Sequence, residues 1–430
     1  MKLKAGTARE IITPKLGGLL AGYGSPNPSA SVHDDLTVTA VILESGETKI
    51  VLLSVSLCLI SNDISIELRK KCGNAIGIPY SNVILSTTHT HTGPVLPGIG
   101  DDHVGEGGDN YCEDILFPKC VKAVEAAAKA IKPVKMGIAV TKTAIGINRR
   151  QLHPDDKVTL GNNPWGITDP EMTVIAFKDE ENKPVVNIVH CTAHNTGNGI
   201  LPVISRDWCG VMTDRLEIES GALTAFFNGC AGDVAPRMAN GGSTGDIKLM
   251  MEAGAAAGMD AVRAYKDIRE YHDTDMAVVA DEIKIPYDPL KPLELAKEQY
   301  DAIKDSSERF DIPAKNLLKQ VIELHEKGET DPVDFVMEQT LVRIGSVVIV
   351  PVPFEASAEI SLRLRAYSKF GYTLAFGYTN GSNSYLPSQD QICRGGYEVE
   401  RFYWARPRQL PVDTDTKLIN ANLKIMERFL

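Results

Sequence analysis

The sequence lacks any run of about 20 apolar residues, the length that a helix needs to cross a bilayer. It also shows no signal peptide, because no continuous apolar stretch precedes Arg9 and Glu10. Its eight cysteines contain no C-x-x-C pair, which argues against a zinc finger or a disulfide framework and favours reduced thiols. We therefore expect a cytoplasmic protein without a transmembrane segment.

Clustered positive charge is also scarce. The 430 residues carry a formal net charge of -11, and no Lys/Arg-rich run is longer than "ELRKK". Because nucleic acids and anionic membrane surfaces attract proteins through basic patches, this composition argues against both. We expect a small molecule as the partner, and the sequence does not indicate an oligomeric state.

The apolar segments alternate between strand and helix patterns. Residues 36–43 and 49–59 predict a hairpin, residues 61–77 a helix, and residues 82–87 a buried strand. A strand, a helix and a strand in this order are typical of an α/β protein with a partly parallel sheet.

The chain contains no internal repeat, Gly/Ser linker or low-complexity tract. We therefore predict one domain over residues 1–430. The charged segment at about 287–335 predicts a helical excursion from this domain, because it has too few apolar residues for a core of its own. The Gly- and Asp-rich residues 98–114 predict a surface loop over a site.

Two histidines follow the predicted strand 82–87, in the stretch "STTHTHTGP". Side chains at i and i+2 of an extended segment share a face, so His89 and His91 should project together with Cα atoms roughly 6.5–7 Å apart. This spacing suits two ligands of one metal ion, or one ligand beside a free acid/base. A structural hydrogen-bonded pair is the alternative, and it is less favoured because open α/β sheets have their sites at the carboxyl ends of strands.

A second group of polar residues lies in "VVNIVHCTAHNTGNGILPVISRDW". The apolar strand 185–189 ends at His190, and His194 and Asp207 follow. Neutral histidine is the commonest ligand of a catalytic zinc, and a carboxylate is a usual third ligand. Glu355 follows an apolar strand and is a candidate for that carboxylate. Considered without its neighbours, a glutamate at this position is more often the start of a helix, where the helix dipole favours a negative charge.

The segment "FNGCAGDVAPR" forms an unusual turn after another apolar strand. Two glycines flank Cys230 and Ala231, and Asp233 follows. Such a turn brings the backbone close to whatever occupies a site. A tight, purely structural connection between a strand and a helix is an equally good interpretation.

Several motifs occur together in order: "AGTAREIITP", "LSTTHTHTGP", "GINRR", "VHCTAH", "NGCAGDVAPR", "VPFEASAEI" and "GYTNGSNSYLPS". Over residues 5–404 this set resembles the catalytic domain of the neutral/alkaline, non-lysosomal ceramidases, in particular their bacterial relatives. The resemblance implies an α/β fold of mixed β-sheets flanked by helices. It also implies zinc-dependent hydrolysis of an N-acyl bond. Because the chain stops soon after the last motif, we expect no carboxyl-terminal immunoglobulin-like domain.

The resemblance also implies roles for individual residues. As metal ligands it implies His89, His190, Glu355 and Tyr385. It implies His91 as the acid/base, with Arg149 and Tyr397 at the oxyanion or at a polar group of the substrate. Further candidates for contacts with the ligands or the substrate are His33, His194, Asp207 and Asp233.

This chain departs from the family pattern at a serine, for which it has Ala235 in "GDVAP". Water activated by a metal ion needs no protein nucleophile, so the loss is compatible with hydrolysis. We expect a smaller soluble N-acyl compound, ester or lactone as the substrate, rather than ceramide in a bilayer. The alternatives are a sugar-like polyol derivative at the same metal site, and a metal-binding protein without catalysis.

Overall fold

The computed structural model describes residues 2–23, 28–98, 110–307 and 311–430. The strands are β1 Lys4–Ile11, β2 Ser31–Val32, β3 Thr37–Ser45, β4 Thr48–Val55, β5 Val83–Thr87, β6 Lys132–Lys142, β7 Gly146–Leu152, β8 Val158–Asn163, β9 Glu171–Asp179, β10 Pro184–Cys191, β11 Val203–Ile204, β12 Leu223–Asn228, β13 Val234–Pro236, β14 Met276–Pro286, β15 Asp334–Ile344, β16 Val347–Pro351, β17 Glu355–Ala356, β18 Tyr372–Phe376 and β19 Tyr385–Leu386. The helices are α1 Asn62–Ile76, α2 Phe117–Lys129, α3 Asp207–Ser220, α4 Ile247–Asp267, α5 Leu293–Ile303, α6 Asp311–Glu326, α7 Ala358–Tyr367, α8 Gln389–Arg394, α9 Tyr397–Tyr403 and α10 Thr414–Met426.

An eight-stranded mixed sheet runs in the order β12-β10-β9-β6-β1-β3-β4-β5. The pairs β10 with β12 and β4 with β5 are parallel, whereas the other neighbours are antiparallel. The predicted hairpin is β3 and β4, and the predicted strand, helix and strand are β4, α1 and β5. The α/β fold expected from the sequence is therefore confirmed.

Local signals in the sequence account for the ends of α1. The side chain of Ser61 accepts a hydrogen bond from the backbone N–H of Ile64, which is a typical N-cap contact. Gly77 ends the helix with φ of 71°, a left-handed conformation that glycine adopts without steric cost. Pro79 follows, and a short 3-10 turn at Tyr80–Asn82 leads into β5.

A four-stranded sheet, in the order β14-β15-β16-β18, packs against the large sheet. Buried apolar residues of β3 and β4, such as Val41 and Ile50, share one cluster with Val342 and Ile349 of the smaller sheet. Helices cover the outer faces: α1 and α2 cover part of the large sheet, α3 and α4 another part, and α7 and α10 the smaller sheet. Two stacked sheets between helical layers thus form the core.

Three small sheets lie outside these layers: β13-β7-β8, β11-β2 and β17-β19. The last is parallel and pairs Glu355 with Tyr385. In the predicted helical excursion, α5 and α6 pack on each other through a small cluster that includes Ala296 and Leu318. Residues 99–109, the main part of the predicted polar loop, lie outside the described residues. No described helix has the length and apolarity to cross a membrane.

Candidate metal centre

His89 and His91 meet, but not in the way that the sequence predicts. Strand β5 ends at Thr87, and His89 has φ of 67°, in the left-handed region. The pair therefore does not lie on an extended segment, and the i, i+2 alternation does not apply to it. The Nε2 atoms of the two imidazoles are nevertheless 3.2 Å apart.

The imidazole of His89 is held in one orientation by two contacts. Its Nδ1 lies 2.9 Å from the carbonyl oxygen of Cys58, and a carbonyl only accepts, so Nδ1 carries a hydrogen and donates. The ring of Tyr378 stacks on the imidazole with centroids 4.0 Å apart. These contacts direct Nε2 of His89 toward Oε2 of Glu355, 3.3 Å away.

His194 presents its Nε2 to the same carboxylate. Its Nδ1 donates to the carbonyl oxygen of Ala231 at 2.6 Å. Its Nε2 lies 3.1 Å from Nη1 of Arg149, which only donates, so Nε2 of His194 carries a lone pair. The same Nε2 is 3.4 Å from Oε2 of Glu355.

The structure does not bring His190 into this group. His190 is the penultimate residue of β10, and its Nε2 lies 3.0 Å from the carbonyl oxygen of Ala375. Its ring stacks on Phe376 of the four-stranded sheet. The strand fixes His190 on the face that packs between the sheets, whereas His194 lies beyond the strand end, where the chain turns toward Glu355. His194, rather than His190, therefore faces the Glu355 carboxylate.

Glu355 completes a convergent group with His89 and His194, whose candidate ligand atoms all lie within 4.8 Å of one another. All three side chains are buried. Although Oε2 of Glu355 is within ion-pair distance of both imidazoles, it receives no well-formed hydrogen bond from the part of the chain that the structure describes. A buried carboxylate oxygen that faces two Nε2 atoms needs a positive charge beside it, either a proton on an imidazole or a metal ion.

The pKa values of these groups agree with that requirement. Burial opposes a charge on His89, but Cys58 and the Glu355 carboxylate raise the pKa of His89 to about 10. Burial, Arg149 and His89 lower the pKa of His194 to about 3. Burial would raise the pKa of Glu355, but His89 and His194 hold that pKa well below its ordinary value. The group therefore attracts positive charge at Nε2 of His89 and keeps His194 neutral.

His91 lies beside the group as a neutral imidazole. Burial lowers the pKa of His91 well below its ordinary value, and the neighbouring His89 and His194 lower it further. Its Nδ1 is buried and has no hydrogen-bond partner among the described residues. A neutral imidazole offers one nitrogen lone pair to a proton, and its lowered pKa favours passing that proton on.

Arg149 links the histidines to the tyrosines. Its Nη2 donates to the hydroxyl of Tyr385 at 3.0 Å, and its Cζ is 5.8 Å from the ring centre of Tyr397. Its Nε donates at 2.9 Å to Glu398, whose other carboxylate oxygen accepts from Arg150 at 2.6 Å. Arg149, Tyr385 and Tyr397 thus lie together, whereas Glu398 is a residue that the sequence analysis missed.

Two buried aspartates hold the backbone around these residues. The carboxylate of Asp233 accepts from the side chains of Asn148 and Gln391 and from the backbone N–H of Ala358, so it joins the strand of Arg149 to the segment after Glu355. Asp207 accepts from the N–H groups of Gly197 and Asn198, in the loop after His194.

His33 lies outside the buried group. Its side chain is exposed, and its backbone N–H donates to the carbonyl oxygen of Ile204. Cys58 and Tyr378, in contrast, touch His89 and were not singled out from the sequence. For Glu398 a signal existed, since it directly follows Tyr397 in "GGYEVE"; for Cys58 and Tyr378 the sequence offers none, because their contacts join distant segments.

The donor set fits a zinc ion. Two imidazole nitrogens and one carboxylate oxygen are typical of catalytic zinc, which keeps a further position for water or substrate. His194 already offers a lone pair on Nε2, and at Nε2 of His89 the ion would take the place of the proton. Both imidazoles donate Nδ1–H to backbone carbonyls, the arrangement that fixes the Nε2 tautomer of histidine ligands. Tyr385 lies at the edge of the group, because its strand pairs with that of Glu355.

Comparisons with known proteins relate the chain to neutral ceramidases. No protein-family model matches the chain. Neutral ceramidase B of Dictyostelium discoideum is 26% identical over 246 residues, which are 50% of this chain and 33% of that protein. Neutral ceramidase A of the same organism is 25% identical over 254 residues, which are 53% of this chain and 35% of that protein. The matched region thus spans about a third of the length of these curated relatives.

Two solved structures share the fold. The neutral ceramidase of Pseudomonas aeruginosa superposes with a TM-score of 0.73 and 17% identity, over 99% of this chain and 75% of that chain. A ceramidase complexed with C2 superposes with a TM-score of 0.74 and 17% identity, over 99% of this chain and 76% of that chain. Nearly the whole chain therefore has the fold of these proteins.

Proposed function

The chain is neutral-ceramidase-like in sequence and in fold, and from this premise we propose that it is a zinc-dependent hydrolase of an amide (N-acyl) bond. One observation carries the proposal: Nε2 of His89, Nε2 of His194 and Oε2 of Glu355 converge in a buried group that requires a positive charge. His89, His194 and Glu355 would hold the ion, with Tyr385 as the candidate for a fourth ligand. His194 replaces His190 in this ligand set.

Zinc, when bound, lowers the pKa of a water molecule to about 7 and polarises a carbonyl group. The remaining chemistry is assigned to side chains of this chain. His91 is neutral and its Nε2 lies 3.2 Å from Nε2 of His89, so it is placed to accept the proton of the attacking water and return it to the leaving amine. This mechanism needs no serine nucleophile, which agrees with the presence of Ala235 where the family pattern has a serine.

Arg149 is assigned to the oxygen of the scissile group. Its Nη1 donates to Nε2 of His194, whose lone pair an ion would take instead. The freed N–H would then be able to donate to the substrate oxygen as negative charge develops on it. Tyr397 lies beside the same guanidinium and is assigned to the same polar end of the substrate.

Metal content and hydrolysis, measured together, test the proposal. We expect the purified protein to hold about one zinc ion, and His194→Ala and Glu355→Gln to lose both zinc and hydrolysis. His190→Gln is the matched control, because His190 is equally buried on the same segment but contacts Ala375. Retention of zinc by His194→Ala, or its loss from His190→Gln alone, would refute this ligand set.

A substrate panel with and without chelator tests the reaction class. Ceramide in detergent, N-acyl amino acids, simple esters, lactones and polyol derivatives present different bonds to the same site. We expect chelator-sensitive cleavage of N-acyl compounds. Cleavage restricted to lactones or polyol derivatives would replace the amide assignment, and zinc binding without any cleavage would indicate a binding protein. We predict that a soluble amide is preferred over ceramide, and the same panel tests this preference.

A further inference from the structure

The hydroxyl of Tyr378 is a buried polar group to which the proposed function assigns no role. Tyr378 follows β18 and is 1% exposed, and its hydroxyl has no hydrogen-bond partner in the part of the chain that the structure describes. Tyrosine hydroxyls are typically paired when they are buried, because an unpaired one has lost its water without compensation. Phenylalanine would fill the same space without that cost. The hydroxyl therefore indicates a polar ligand atom that it binds.

The backbone of Tyr378 connects the two segments that carry proposed metal ligands. Its N–H donates at 3.3 Å to the carbonyl oxygen of Phe354, the residue before Glu355. Its own carbonyl oxygen accepts at 3.1 Å from the N–H of Thr87, the last residue of the strand before His89. Tyr378 has φ of 55°, a left-handed conformation that is uncommon for a bulky residue and that tertiary contacts must hold. The position of this side chain is therefore fixed by the site.

The ring of Tyr378 touches both proposed imidazole ligands. It stacks on His89 with centroids 4.0 Å apart and an interplanar angle of 19°, and it meets His194 edge-on with centroids 6.2 Å apart. Burial and, after it, the Glu355 carboxylate raise the pKa of Tyr378 well above its ordinary value, and Arg149 opposes that rise. The hydroxyl thus lies in the same buried space as the carboxylate and the guanidinium.

We propose that Tyr378 is a further catalytic residue, whose hydroxyl donates a hydrogen bond to the oxygen of the scissile carbonyl as negative charge develops on it. This assignment rests on the proposed hydrolysis of an N-acyl bond. Nη1 of Arg149 is the other donor assigned to that oxygen, and both donors border His194. A phenol is protonated at neutral pH, so it acts as a donor. Its proton stays on the phenol oxygen, and no bond forms between Tyr378 and the substrate.

The contacts of His89 separate this role from that of His91. His91 meets His89 at Nε2, on the edge of the ring, whereas Tyr378 covers the face of the ring. The proton carrier and the phenol therefore approach the site from different sides. A donor apart from the proton carrier suits the carbonyl oxygen better than the attacking water or the leaving amine, which His91 serves.

Tyr378→Phe tests the proposal, because it removes the hydroxyl and keeps the ring on His89. For the N-acyl compound that the wild type cleaves fastest, we expect kcat to fall roughly 100-fold and KM to change by less than about twofold. Zinc content should equal that of the wild type. Tyr372→Phe is the matched control, because Tyr372 is at the other end of β18 and packs against apolar residues between the sheets. Unchanged kcat in Tyr378→Phe, or loss of its zinc, overturns the proposal.

Stability separates a catalytic hydroxyl from a structural one. We expect the urea midpoint of metal-free Tyr378→Phe to equal or exceed that of the metal-free wild type, because the hydroxyl that is removed makes no hydrogen bond to the described part of the chain. A lower midpoint, or a variant that does not fold, would show that the hydroxyl supports the structure and would overturn the proposal.

Binding of a tetrahedral anion gives a readout that does not depend on turnover. The probe is the phosphonamidate analogue of the same N-acyl compound, whose charged phosphoryl oxygens stand in for the developing oxyanion. We expect its Kd for zinc-loaded Tyr378→Phe to rise by about the factor by which kcat/KM falls. An equal Kd in both proteins overturns the proposal. If the wild type cleaves no N-acyl compound, the proposed function itself fails; if it does and Tyr378→Phe is as fast, only the assignment of Tyr378 fails.

Discussion

At the scale of single residues, Glu398 shows how a buried carboxylate holds the charged side chains of the site. It accepts from Arg149 and Arg150, and all three side chains are buried. Without Glu398 the two guanidinium groups would lie close together without the carboxylate that bridges them. Removal of one partner from such a network typically costs about 3–5 kcal/mol, because the remaining charges stay buried.

We predict that Glu398→Gln lowers the free energy of unfolding by about 3–5 kcal/mol. It should also lower kcat roughly 100-fold with a smaller change in KM, because Arg149 is no longer held toward the substrate oxygen. Urea unfolding and steady-state kinetics measure both effects. Glu400→Gln, on the exposed side of the same helix, is the control and should change neither. Unchanged kcat in a folded Glu398→Gln would contradict a positioning role.

Asp207 makes stability depend on pH. Burial raises its pKa to about 6 from 3.8, although the N–H groups of Asn198, Trp208 and Gly197 oppose the rise. Between these two values the unfolded chain ionises the carboxyl group more readily than the folded protein does. Stability attributable to Asp207 is therefore complete below about pH 3.8 and is lost as the pH rises through about 6.

We predict that the wild-type protein loses roughly 2.4 kcal/mol of unfolding free energy relative to Asp207→Asn between pH 4 and pH 7, at about 1.36 kcal/mol per pKa unit. Asparagine tolerates the φ of 61° at this position. Urea unfolding across this pH range is the measurement. Asp156→Asn is the control, because Asp156 is exposed and has φ of 63°. Parallel stability curves for wild type and Asp207→Asn would contradict the prediction.

At the scale of structural elements, the turn after β12 is packed directly against β17. A Cβ atom on Gly232 would lie 2.3 Å from the carbonyl oxygen of Glu355 and 2.9 Å from that of Ala356. The N–H of Gly232 donates to Ala356 at 2.8 Å, so the close approach is also a hydrogen bond. The glycine of "CAGDVAP" therefore sets the position of the proposed carboxylate ligand.

We predict that Gly232→Ala moves β17, costs about 1–3 kcal/mol of unfolding free energy and weakens zinc binding roughly 10–100-fold. Calorimetric titration of the metal-free protein measures the affinity. Gly18→Ala is the matched control, because a Cβ there would have no neighbour within 4 Å among the described residues. If zinc affinity in Gly232→Ala stayed within a factor of two of wild type, β17 would accommodate the added methyl group and the prediction would be wrong.

At the scale of the whole molecule, the candidate metal centre joins distant parts of the chain. His89 follows a strand of the eight-stranded sheet, and His194 follows another strand of it. Glu355 comes from β17, just after β16 of the four-stranded sheet. An ion bound to all three would connect these parts in the folded state only.

We predict that free zinc at 100 times its Kd raises the free energy of unfolding by about 2.7 kcal/mol, the value for a ligand that binds only the folded state. The urea midpoint with zinc and with chelator measures this gain. In Glu355→Gln, the gain is measured against the metal-free form of the same variant. It should be at most a small part of the wild-type gain. If zinc stabilised Glu355→Gln as much as the wild type, that result would contradict a metal site that includes Glu355.

Much of the fold was predictable because its signals are local. The apolar runs of β3, β4 and β5, the Ser61 cap and the Gly77 stop predict their elements within a few residues. The site was predictable only in part. His190 stands at a strand end, as a ligand should, and His194 has no local feature that marks it as the better candidate.

The sequence by itself determined the α/β class, the histidine-rich segments and, through ordered motifs, the resemblance to neutral ceramidases, because periodicity, caps and motifs are properties of neighbouring residues. Only the tertiary structure decided which side chains meet. The left-handed backbone at His89, the turn that brings His194 to Glu355, and the contact of Glu398 with Arg149 depend on how segments up to about 250 residues apart pack. Distances across such packing are set by the whole core, so no short stretch of sequence encodes them.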